Sequence, residues 1–306
     1  MNQIEFWKNF KLGTELQLSG TFIYNGLYCL DQMETFYYEE EIFEFLYQIS
    51  VGIERLQKIV LIIHENFEVT NIDKFEESLI THSHVELNSR IQKIKKTNYS
   101  KNHNKFLTLL TEFYKTVRYE RYSIKSIFSK NDERTKLVKF VQDAMQIEIC
   151  TNIMGTTPID NKTRQFFAKL IDRIINPLWE LVDKKTTELR IHTTELGYQS
   201  KAFKIFRLRE LTFENENHLK RELLLSIIKK KMSPGINKLM ETIEPVDFEM
   251  YHSNYYVRSL FHHQKSRRAL DELEEHFAIE EIGYNRVKDM KFLGEEFSVD
   301  HYGEDE

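Results

Sequence analysis

The sequence predicts an all-α protein, and three observations predict it. The 306 residues include only 10 Gly and 4 Pro, so turn formers are scarce. Charged residues make up 30% of the chain and are spread through apolar runs that repeat every three or four residues, as a helix with one buried face requires. Long, helix-favouring side chains fill the positions between. A chain of this length buries a substantial core in one large domain or two small ones, and two helical units are expected.

From Thr14 to about Met33, Leu16, Ile23, Leu27 and Leu30 recur at near-helical spacing, with Gly13 just outside the start. The strongest signal follows. Ile42, Leu46, Ile49, Ile53, Leu56, Val60 and Ile63 alternate spacings of four and three, which predicts a helix from about Glu39 to His64. A polar connection leads to Ser83, a cap with Glu86 in capping-box position, and to a shorter helix carrying Leu87, Ile91 and Ile94. A fourth helix begins near Asn102 with Phe106, Leu110, Phe113 and Val117 on one face. The Asn-Asp turn before Glu133, with Asp132 as cap, sets a domain boundary near residue 130.

Beyond it, Leu137, Val141, Met145 and Ile149 form a stripe, and MGTTPIDNK breaks it. Phe167, Leu170, Ile174, Leu178 and Leu181 keep helical period through Pro177, which should kink the run or restart it with Asn176 as cap. Further helices are expected over Glu214 to Met232 and Asn254 to His276. The organisation read from the sequence is therefore 1–129, a helical bundle; 130–292, a helical C-terminal region; and 293–306, an acidic tail expected to be mobile.

The net charge of −5 argues against a globally basic nucleic-acid binder but leaves room for a local basic patch. Cys29 and Cys150, each in an apolar run, read as buried free thiols of a reducing compartment. No basic leader with an apolar core and no run approaching eighteen apolar residues is present, so a cytoplasmic protein without membrane insertion is expected. Phosphate-cradling glycine loops, nucleophile elbows and metalloprotease His-Glu motifs are absent. No cofactor is expected. His82 and His84 lack a third ligand at metal-site spacing and read as capping or local hydrogen-bonding residues.

The segment FYKTVRYERYSIK, residues 113 to 125, places Arg118 and Arg121 among Tyr119 and Tyr122. Residues three apart share a helical face, so guanidinium and phenol stripes lie side by side. Such a surface suits phosphate contact with base stacking, or else packs the fourth helix on its neighbours through amphipathic stems. A second cluster, YYVRSLFHHQKSRR, holds Arg258, His263, Arg267 and Arg268. It reads either as a phosphate-binding surface or as a solvated helix face.

Residues 14 to 124 resemble the HEPN family (higher eukaryotes and prokaryotes nucleotide-binding). YQISVGIERLQKIVLII at 47 to 63 is similar to its second helix, THSHVELNSRI at 81 to 91 to the opening of its third, and FYKTVRYERY at 113 to 122 to the end of its fourth. The resemblance implies an up-and-down four-helix bundle, commonly a homodimer, doing RNA-directed work in defence against phage or other mobile elements. In catalytic members an Arg, followed after four to six residues by a His, cleaves RNA without metal. Arg118 matches that Arg. No His follows at 123 to 125, nor at 126 to 128 if Arg121 is taken instead, whereas Arg258 and His263 reproduce the spacing outside the resembling region.

The sequence-derived site is thus Arg118, Arg258 and His263 for chemistry, with Arg121, Tyr119, Tyr122, Arg267 and Arg268 for RNA. RNA and a second copy or a larger complex are the expected partners. A non-enzymatic adaptor, inhibitor or sensor is the alternative.

Overall fold

The computed structural model describes residues 3–65, 71–117, 122, 124, 132–152, 155–191, 196–229, 241, 243, 253–261, 269–275, 278 and 290. The fold is all-α. Among the described residues there is no β-strand, only an isolated antiparallel bridge between Thr35 and Pro158.

A short turn of helix, Gln3–Phe6, runs through a π-helical turn, Trp7–Lys11, into α1, Leu12–Gln32. Helix α2, Glu39–His64, is the centre of the core: 17 of its 26 residues are buried. It packs against α1 along its length, with Gly52 at the closest approach. A Cβ at Gly52 would lie 2.6 Å from Ile23 Cγ1 and 3.0 Å from the Ser19 carbonyl, and the Ser19 hydroxyl donates to the Gly52 carbonyl at 2.7 Å. Only glycine lets the two backbones come this near.

Helix α3, Ile72–Ser78, occupies part of the stretch that reads as a polar connection and buries Phe75. Ser83 caps α4, His84–Ile94, by accepting from the Glu86 N–H. Helix α5, Lys101–Glu112, continues into a second π-helical turn, Phe113–Val117. Asp132 caps α6, Glu133–Met145, as its spacing predicts. The stripe ends there because Gln146 turns to φ 56°, which leaves Ile149 outside the helix.

Helix α7, Asn161–Glu188, runs unbroken through Pro177, and Asn176 is not a cap. Burial of Phe167, Ile174 and Leu178 on both sides of the proline outweighs a penalty of about 3 kcal/mol. The Tyr99 hydroxyl also donates to the Ile174 carbonyl at 3.0 Å, in the turn from which Pro177 withdraws a donor. Helices α4, α6 and α7 all lie on α2, and α5 bridges α4, α6 and α7. A further turn, Lys201–Phe203, sets Ala202 against Gly20 of α1 and runs into a third π-helical turn, Lys204–Leu208.

The core is therefore continuous across residue 130, since α6 and α7 share it with α1 and α2. The compact units are Met1–Phe213 and Glu214–Glu306. In the second, α8, Glu214–Lys229, and α9, Ser253–Phe261, begin close to where the sequence places helices, and residues 269–275 are helical again. The expected tail, 293–306, lies outside the described residues.

The two thiols differ from expectation. Cys29 is half-buried, and burial pushes its pKa up to about 12, whereas Cys150 is exposed in the extended segment after α6. No described helix is long and apolar enough to cross a membrane.

Candidate functional site

A cavity of about 710 Å³ in the first unit is bounded by the Trp7–Lys11 turn, α1, α2, the lead into α4, and the Phe113–Val117 turn. Its floor comes from one face of α2, where Val51, Ile59 and Ile62 supply apolar surface and Glu54, Arg55 and Lys58 supply charge. Glu54 is placed by the helix period: it adjoins the core seam at Ile53, so its side chain is only 10% exposed. A carboxylate so placed needs partners. Lys58, one turn on, donates to it at 2.7 Å. His82 Nδ1 lies 3.1 Å from one of its oxygens and 3.3 Å from the other.

Facing an ionised carboxylate, Nδ1 is the donor, which leaves Nε2 with its lone pair. The His82 side chain is half exposed, and its ring lies 4.6 Å from that of Tyr114. Tyr114 in turn stacks on Tyr47 at 6.0 Å. Next to Glu54 on α2, Arg55 pairs with Glu15 of α1 and lies over the Phe22 ring at 5.6 Å, while its Nε is buried without a hydrogen-bond partner. Among the described residues the ammonium of Lys11, at the rim, has no ion-pair or hydrogen-bond partner. Three cations thus face two carboxylates in a chain that is acidic as a whole.

Two of the three π-helical turns among the described residues border this cavity, one carrying Trp7 and Lys11 and the other Tyr114; the third, Lys204–Leu208, does not. In the first, the Leu12 N–H donates to the Trp7 carbonyl five residues back. Such turns hold one residue more than an α-turn and recur at functional sites, because the extra residue re-aims the side chains beside it.

His84, two residues from His82, has a different role. It is fully buried, with Nδ1 3.2 Å from the Gln57 amide oxygen, and Gln57 also donates to its carbonyl at 3.1 Å. Burial pushes its pKa down to about 4, so it is a neutral packing residue. Ser83 between them is the cap, so the capping role expected of this stretch belongs to the serine.

Of the sequence-derived residues, Tyr122 is described and is 88% exposed, and Arg258 lies in α9 of the second unit. Arg118, Tyr119, Arg121, His263, Arg267 and Arg268 lie outside the described residues. Sequence reading did not assemble Lys11, Glu15, Glu54, Arg55, Lys58 and His82 into a site. The one signal available was the Glu54 and Lys58 pair at helical i, i+4 spacing. Among the described residues no group of three or more His, Cys, Asp or Glu side chains is placed to hold a metal ion. No protein-family model, curated protein or solved structure matches this chain.

Proposed function

We propose that this chain is an RNA-directed, HEPN-like protein that cleaves RNA without metal, in defence against phage or other mobile elements, as a homodimer or as a subunit of a larger complex. One observation carries the reading. The three segments that resemble the family converge on one cavity: GIERLQK through Glu54, Arg55 and Lys58; THSH through His82; and FYK through Tyr114. Cations with unused donors and an aromatic wall are what a phosphate followed by a base requires. Arg118 follows Tyr114 by four residues in the sequence and is the expected phosphate-contacting group of that segment.

The test is incubation of the purified full chain with mixed RNAs in the presence of a chelator, beside Arg118→Ala and Arg258→Ala. Cleavage lost in Arg118→Ala, with the melting temperature within about 2 °C of the parent, supports the reading. A large fall in melting temperature with cleavage intact assigns Arg118 to packing and removes it from the site.

A non-enzymatic adaptor is the second reading, and α8 favours it. That helix leaves Leu219, Leu223, Leu225 and Ile228 exposed, apolar surface of the kind that contacts another protein. A stable complex with a second chain, together with no RNA binding by the purified protein, selects this reading.

A further inference from the structure

The expected Arg and His pairing lacks its histidine in the fourth helix, yet the cavity holds a histidine from elsewhere in the chain. His82 reaches it from the extended lead into α4, and Glu54 fixes its ring through Nδ1. Glu54 is itself held by Lys58, so the acceptor facing Nδ1 stays in place and favours one tautomer of the imidazole. A base oriented by a buried carboxylate, its half-exposed ring lining a cavity, is the arrangement proton transfer uses. The anion that would sit before it is served by Lys11 and Arg55. A volume of about 710 Å³ falls within the range of sites that hold a small organic ligand, with Trp7 and Tyr114 as aromatic walls.

We infer that His82 is the proton-transferring residue of this cavity and that its substrate is a single-stranded RNA phosphodiester held by Lys11 and Arg55; this rests on the RNA-directed reading above. The ribose 2′-oxygen attacks phosphorus while its proton passes to His82 Nε2. The bond from phosphorus to the 5′-oxygen of the next nucleotide breaks, and that oxygen is protonated by solvent. The products are a 2′,3′-cyclic phosphate and a 5′-hydroxyl end, and the imidazolium returns its proton to solvent. No redox partner or metal enters the balance.

The experiment uses the full chain and a labelled single-stranded RNA in chelator, with RNA affinity, cleavage rate and product ends all measured. The variants are His82→Ala, with and without added imidazole, and Lys11→Ala. The expected result is cyclic-phosphate ends from the parent and a loss of about 100-fold or more in rate for His82→Ala at unchanged affinity, the low end of general acid–base contributions. Added imidazole restores part of that rate, which a merely structural role of His82 does not allow. Lys11→Ala lowers the slope of log affinity against log salt by about one.

RNA cut at the full rate by His82→Ala overturns the assignment of His82 and leaves the RNA-directed reading standing. RNA bound but left uncut by the parent overturns both the assignment of His82 and the cleavage proposed above, and leaves RNA binding alone standing. RNA neither bound nor cut overturns the RNA-directed reading as well.

Discussion

Helices α2 and α8 carry the same kind of apolar repeat and meet opposite fates. The first buries 17 of its 26 residues; the second buries none of its 16, although it holds Leu219, Leu223, Leu225, Ile227 and Ile228. The period of a sequence records which face is able to leave water. Whether it does depends on a matching surface elsewhere in the chain. Helix α2 has one because Gly52 admits α1 to backbone contact and because α4, α6 and α7 each bring an apolar stripe to another side.

The comparison is broken most severely in the first third of α2. Phe45 is fully buried and meets Phe167 edge-on at 5.2 Å, so Phe45→Ala is expected to cost about 3–5 kcal/mol, read by urea unfolding. A loss below about 1 kcal/mol would mean that α2 is not the centre of the core. Next comes Gly52→Ala. Alanine gains about 1 kcal/mol of helix propensity, but the clash with Ile23 and the Ser19 carbonyl costs about 1–3 kcal/mol, so a net loss is expected. A more stable Gly52→Ala protein would show that α1 and α2 stand further apart than described.

A pH titration sharpens the picture at the edge of the same core. Burial lowers the pKa of His84 to about 4, and burial also lowers His64 and His103. The unfolded chain takes up these protons near pH 6.5 and the folded chain only lower, so this stability is present above about pH 6.5 and drains away as pH falls toward 4. His84→Gln is expected to flatten the fall in melting temperature between pH 6.5 and 4. An unchanged slope would mean that the acid sensitivity resides in other groups. The smallest effect belongs to α8: Leu223→Ala, at an exposed position, is expected to change stability by no more than about 0.5 kcal/mol. A loss comparable to that of Phe45→Ala would mean that α8 is covered in solution by another surface.

Much of the fold is legible in the residues. The bounds of α2 follow from its alternating spacings, and the starts of α4 and α6 from Ser83 with Glu86 and from Asp132. Pro177 leaves a restart open because its local penalty is visible and the burial that outweighs it is not. The boundary near residue 130 misleads for a related reason: a good turn and cap mark the start of a helix, not the edge of a core. The cavity is less legible still. Lys11, Glu54 and His82 come from three stretches of chain, and nothing local to His82 distinguishes it from His84, although one faces a cavity and the other is sealed inside the core.

The π-helical turn at Trp7–Lys11 also bears on how such a site can change. A turn of this kind differs from an ordinary one by a single inserted residue. Deleting one residue from it would restore the α-helical path and swing everything upstream by about 100°. Trp7 would leave the rim of the cavity while α1 kept its place on α2. The aromatic wall of this cavity is thus adjustable by loss of one codon, a change that leaves every residue of the core as it is.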